Sequence, residues 1–99
     1  MSRLVLTIFC AASDGQTIAA ALRDALDAPV HLRREDVLGR DFGDAGTGER
    51  VAGTLLRMAV EVEIMARQVA EAVETARRAR RRLPFRWRTV AMLDGGRVE

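Results

Sequence analysis

Lysine, asparagine and tyrosine are absent from this 99-residue chain, and all sixteen of its basic residues are arginine. The three missing residues use A/T-rich codons, so their absence fits a GC-rich genome. Arginine number is therefore discounted as a functional signal. A single cysteine, Cys10, excludes an internal disulfide and a cysteine-built zinc centre, and suits a reducing, cytoplasmic setting. A single histidine, His31, leaves no His/Cys metal constellation within one chain. No run approaches the ~20 apolar residues of a membrane span. The apolar start, Leu4 to Ala12, follows one basic residue, Arg3, and is shorter than the roughly 15–30 residues of a secretory signal. Export is not expected. No nucleophile with a nearby base, no distinctive carboxylate pair and no metal cluster stands out, so an enzyme is not expected.

What is present is ordinary globular composition, 48% hydrophobic and 30% charged. The length allows one domain, residues 1–99. A chain this short buries only roughly 60–65% of its unfolded surface, which favours association. Residues 3–9 are apolar at nearly every position and read as a central strand. Ser13 and Gln16 have the spacing of a capping box, and Asp14 suits a helix start. Ile18, Leu22, Ala25 and Leu26 form one helical stripe, which Asp27-Ala28-Pro29 ends. Residues 30–38 read as a strand that turns polar. Five of the eight glycines follow within residues 39–53, and a connection of this length in a small domain is usually functional or disordered.

Residues 55–65 give the clearest strand. Leu56, Met58, Val60, Val62 and Ile64 share one face by period two, with Arg57, Ala59, Glu61, Glu63 and Met65 on the other. A second helix covers about 66–80, with Val69, Val73 and Ala76 as its buried stripe and Ala70 and Ala72 allowing close approach. Glu74 and Arg78 are spaced as a helical ion pair. Leu83-Pro84 stops the helix. Phe85 to Leu93 reads as the last strand, followed by a turn at Asp94-Gly95-Gly96. The order βαββαβ predicts a ferredoxin-like α+β fold, a four-stranded antiparallel sheet with two helices on one face. The other face is then uncovered and partly apolar, with Trp87 and Phe85, which argues for an oligomer. Glu61, Glu63, Arg86 and Arg88 are expected to share that face as charge pairs at its rim.

The segment Gly48-Glu49-Arg50-Val51-Ala52-Gly53, Arg57, the strand Ala59-Val60-Glu61-Val62-Glu63-Ile64, the stretch Phe85-Arg86-Trp87-Arg88-Thr89-Val90 and the closing Asp94-Gly95-Gly96-Arg97-Val98 carry a family resemblance. The chain resembles the PII-like superfamily of trimeric regulators, which includes nitrogen-regulatory PII and CutA-type proteins, and is most similar to an uncharacterised branch of it. The resemblance implies a homotrimer and makes residues 35–53 the counterpart of the mobile T-loop, an arm for partners and effectors. Arg40, Asp41, Phe42, Glu49 and Arg50 are its candidate contact residues. The place of the phosphate-cradling loop is held by Arg77 to Pro84. That stretch has neither glycine nor lysine, and backbone amides approach phosphate through glycine-type conformations.

Charge placement adds to this. The net charge is +2. Residues 1–49 hold five arginines against eight acids, net −3, and residues 50–99 hold eleven against six, net +5. Seven arginines and no acid fall between Arg77 and Arg88. Arg78, Arg81, Arg82, Arg86 and Arg88 are the candidate anion ligands. The expected function is a non-enzymatic homotrimeric regulator that senses a small anion or metal ion in clefts between subunits. It would signal to a protein partner through residues 35–53, with no cofactor named and no metal-ligating residues assigned. A small arginine-rich nucleic-acid-binding module is the alternative, and a dimeric monooxygenase-type enzyme a third reading without an acid, base or cofactor site. The lone Cys10 reads as a small buried hydrophobe.

Overall fold

The computed structural model describes residues 3–38, 55–81 and 83–99. Among these residues, four strands and two α-helices follow one another as β1 (Arg3–Ala11), α1 (Ala12–Leu26), β2 (Val30–Val37), β3 (Leu55–Met65), a 3-10 turn (Ala66–Gln68), α2 (Val69–Ala79) and β4 (Arg86–Ala91). The strands form one antiparallel sheet in the order β2-β3-β1-β4, with the ferredoxin-like topology expected from the sequence. Among the described residues, no helix is long and apolar enough to cross a membrane.

The core follows from the pleat. Leu6, Ile8 and Cys10 of β1 face the helices, opposite Val62, Val60 and Met58 of β3. Ile18 and Leu22 of α1 and Ala72 and Ala76 of α2 close the layer. Each fully buried Leu or Ile contributes about 1.5–3 kcal/mol relative to exposure. Small residues set the helix spacing. The alanines at 72 and 76 bury in α2, with Val69 and Val73 packed at the core margin, whereas Ala70 and Ala25 are exposed rather than in the stripes. Leu56 keeps its place on the same face as Met58 and Val60 but is 56% exposed, opposite Asp36 near the start of β3.

The helix ends differ from the capping expectations. α1 begins one residue after β1 ends, with Ala11 at its N-cap and no side-chain cap. Ser13 and Gln16 are exposed. Asp14 is instead buried at 1% exposure, and its Oδ1 accepts the Arg81 backbone N–H at 3.1 Å. The first turn of α1 is thus tied to the segment that leads into β4. Replacing Asp14 with alanine removes the acceptor and is expected to cost about 1–2 kcal/mol, with Asp14→Asn costing less; urea unfolding checks this, and equal losses would refute it. At the other end, Asp27 adopts the left-handed conformation (φ 49°) and returns its N–H to the Arg23 carbonyl at 3.0 Å. Aspartate tolerates that region better than most residues. Before α2, Gln68 reaches back to accept the Met65 N–H at 2.9 Å.

Register decides the faces of β4. Trp87 pairs with Ile8, so it lies on the helix side and not, as expected, on the uncovered face. It is 46% exposed, because the helices pack over the other strands. Phe85 packs against the core margin.

Candidate functional site

The sheet face opposite the two described helices, called the helix-free face for that reason, carries the alternate residues of every strand. Phe9 of β1 stands there between Ala59 of β3 and Arg86 of β4. Two guanidiniums cover its ring, Arg88 at 5.0 Å and Arg86 at 5.9 Å from the centroid. Both distances are within cation–π range. An open cleft of about 490 Å³ lies here, lined by Phe9, Glu35, Val37, Phe85, Arg86, Trp87 and Arg88. Glu35 and Val37 are the last residues of β2 before the glycine-rich segment, so the cleft lies where that segment departs.

The floor of the face is polar but tightly held. Arg57 is only 4% exposed, and its Nη2 donates to the Phe9 carbonyl at 2.9 Å. This fixes the backbone under the stacked ring. Glu61 does not pair with Arg86 or Arg88 in any contact of the described residues. It accepts from Arg33 at 3.3 Å and from the Thr7 hydroxyl at 2.9 Å. The Arg33 hydrogen bond, aided by Thr7 and by the charges of Arg33 and His31, holds the Glu61 carboxyl below its ordinary range against the opposing effect of burial. Glu61 is therefore a stable acceptor that positions Arg33 and Thr7.

The candidate anion ligands do not form one group. Arg86 and Arg88 share the helix-free face. Arg78 lies on α2 in the opposite layer, exposed, 4.0 Å from Glu74. Its neighbour Arg77 makes the closer contact, donating to Glu74 at 2.8 and 2.6 Å. The Arg77 hydrogen bond lowers the Glu74 carboxyl and raises the Arg77 guanidinium in return. Arg81 flanks the start of α1 with Ser13, Asp14 and Leu83. Arg82, and the candidate loop residues Arg40, Asp41, Phe42, Glu49 and Arg50, lie outside the described residues. Sequence reasoning missed Phe9 as the ring beneath the arginines and Arg57 as a buried anchor. Alternation in β3 placed Arg57 on the right face, but nothing in the pattern marked it as buried.

His31 lies at the far end of the sheet, in a cleft of about 410 Å³ with Arg3, Asp27 and Glu63. Among the described residues, no group of three or more His, Cys, Asp or Glu side chains could hold a metal ion. Cys10 is buried, and its Sγ lies 3.5 Å from the Met58 carbonyl.

No protein-family model matches the chain. No curated protein matches it either. Solved structures do. A DUF3240 family protein from Shewanella baltica superposes with a TM-score of 0.79 at 13% identity, covering 100% of this chain and 99% of that one. CutA1 from Oryza sativa gives 0.73 at 9% identity, over 97% of this chain and 84% of that one. The GlnK–ATP complex of B. subtilis gives 0.61 at 10% identity, over 90% of this chain and 83% of that one. At these identities the likeness concerns the fold, and it extends over nearly the whole length of each chain. The chain has the ferredoxin-like fold shared by PII- and CutA-type proteins.

Proposed function

We propose that this chain is a non-enzymatic regulatory protein that assembles as a homotrimer and senses a small anionic effector at the Phe9 cleft. The observation that carries the reading is the pair of guanidiniums over Phe9, 5.0 and 5.9 Å from the ring, on the sheet face opposite the described helices. Guanidiniums recognise carboxylate and phosphate through paired N–H donors. The ring below offers a flat apolar surface to a planar group. The site therefore suits an anion with a planar portion. Glu35 and Val37 line the same cleft. An occupant that touches them favours one arrangement of the segment that follows, and residues 35–53 are the proposed arm for a protein partner. Signalling of this kind requires an effector with unequal affinity for the two arrangements of the arm. The fold likeness to CutA1 and to GlnK, the latter solved as its ATP complex, supports the regulatory class.

Inorganic phosphate, citrate and ATP are the probes. At a hundred times its Kd, a single-site ligand raises stability by about 2.7 kcal/mol. For a domain of this size each kcal/mol corresponds to about 4–8 °C in the thermal midpoint. At least one probe is expected to raise the midpoint, and Arg86→Ala to weaken its binding by about tenfold or more, as for a lost charge-assisted hydrogen bond. If none of the three anions shifts the midpoint, or if Arg86→Ala binds as well as wild type, the cleft is not an anion site.

A further inference from the structure

We infer that the cleft lined by Arg3, Asp27 and Glu63 is a second ligand site and takes a basic α-amino acid. The cleft measures about 410 Å³, within the roughly 300–1,000 Å³ of small-molecule sites. It gathers the start of β1, the end of β3 and the connection between α1 and β2. The Phe9 cleft lies at the other end of β1, and the two share no lining residue. Occupancy of one can therefore be measured apart from the other.

The strand ends make the cleft. β2 begins only at Val30, opposite Val62, so the last residues of β3 have no strand beside them on that side among the described residues. Asp27, Ala28 and Pro29 run past this notch. Arg3 is the first residue of β1 and pairs with Met65, while Glu63 pairs with Val5. Arg3 and Glu63 are thus diagonal neighbours on one face, at the usual separation of about 7–8 Å. Asp27 ends α1 in the left-handed conformation, its N–H given to the Arg23 carbonyl. The side chains of Arg3, Asp27 and Glu63 are exposed, and none makes an ion pair or hydrogen bond among the described residues. Charges of both signs line one cleft without answering each other.

The pattern of those charges names the ligand class. Arg3 offers paired N–H donors to a carboxylate. Gln68 adds to them: its Oε1 accepts the Met65 N–H at 2.9 Å, which leaves its amide N–H groups for the cleft. Asp27 attracts an ammonium, as do the last carbonyls of α1, because a helix carries partial negative charge at its C-terminus. A carboxylate and an ammonium together are the backbone of a free α-amino acid. Glu63 is left over. With His31 counted as neutral, the lining holds one positive and two negative charges, so a second cationic group on the ligand balances it. Leu26, Pro29 and Ile64 supply apolar surface for the carbons between. A neutral amino acid leaves Glu63 unanswered, and an acidic one brings a like charge to it.

The experiment is calorimetric titration of the whole chain with L-lysine, cadaverine and L-norleucine. Cadaverine is lysine without its carboxylate, and norleucine is lysine without its side-chain ammonium. L-Lysine is expected to bind, and each analogue to bind at least tenfold more weakly, as for one lost charge-assisted contact. Arg3→Met is expected to weaken lysine at least tenfold but not cadaverine, and Glu63→Gln to weaken lysine at least tenfold but not norleucine. Asp27→Asn, which suits the left-handed backbone, is expected to weaken both lysine and norleucine. Arg86→Ala leaves lysine binding as it is. Circular dichroism confirms that each variant is folded. The site is refuted if L-lysine does not bind, if either analogue binds as tightly as lysine, or if folded Arg3→Met and Glu63→Gln keep the wild-type affinity. Loss of lysine binding in Arg86→Ala would place lysine in the Phe9 cleft and overturn the second site.

Discussion

Gly15→Ala is expected to destabilise the protein, although the same change at an exposed helical site stabilises by about 0.4–1 kcal/mol. The reversal comes from packing. Gly15 is buried in the first turns of α1, directly over Met58 of β3. A Cβ built there would lie 2.1 Å from the Met58 sulfur, 2.9 Å from its Cγ and 3.0 Å from its Cβ. The sulfur can swing away, because methionine is flexible. The Cγ and Cβ cannot move without changing rotamer or shifting the strand. Overpacking of this kind costs about 1–3 kcal/mol, so alanine falls in that range and Gly15→Val at or beyond its upper end. Urea unfolding reads the loss. The coupling is also measurable: with Met58→Ala in the background, Gly15→Ala should cost much less than it does alone, since the two residues are in contact. Additive losses, or a stabilising Gly15→Ala, would refute the close approach of α1 to β3.

Stability is expected to fall between about pH 9 and pH 11 by about 2–3 kcal/mol, at 1.36 kcal/mol per unit of pKa difference. The group responsible is Cys10. Burial pushes its thiol up from 9.0 to about 11, the charge of Asp14 adds to the rise, and the charge of Arg57 opposes it. Below pH 9 the thiol is protonated in both folded and unfolded chains, and the full stability is present. Between the two values the unfolded chain loses its proton while the native chain keeps it, so unfolding is favoured. Above the folded value the loss is complete. The composition makes this window unusually clean. The chain has no lysine and no tyrosine, and arginine keeps its charge throughout. Unfolding free energies measured from pH 8 to pH 11.5 should show the decline in wild type and its absence in Cys10→Ala. Parallel profiles for the two would assign the alkaline loss to some other group.

Several elements were legible before any coordinates. β3 announced itself through Met58, Val60, Val62 and Ile64, because a strand with one buried face must alternate. β1 read as central from its continuous apolar run, and it does lie between β3 and β4. The order of elements then implied the ferredoxin-like topology. Much of the candidate site was not legible. Phe85 to Leu93 has no dominant period, since β4 is an edge strand exposed along its whole length. Its two faces could not be told apart, and Trp87 was assigned to the wrong one. Arg78, Arg81, Arg86 and Arg88 look like one cluster along the chain, but a helix end, a connection and a strand place them at different parts of the molecule.

The sequence by itself determined which segments become strands and helices, and in what order they join. Hydrophobic period is a local property, and a βαββαβ order leaves few ways to build one sheet. Tertiary structure alone decided which side chains meet. The pairing of Ile8 with Trp87 and of Phe9 with Arg86 is a matter of register, and one residue of slip exchanges the faces. Burial of Arg57 and Asp14 likewise depends on partners 48 and 67 residues away. Nothing local encodes such contacts, because they form only when distant backbone groups are brought within hydrogen-bond reach.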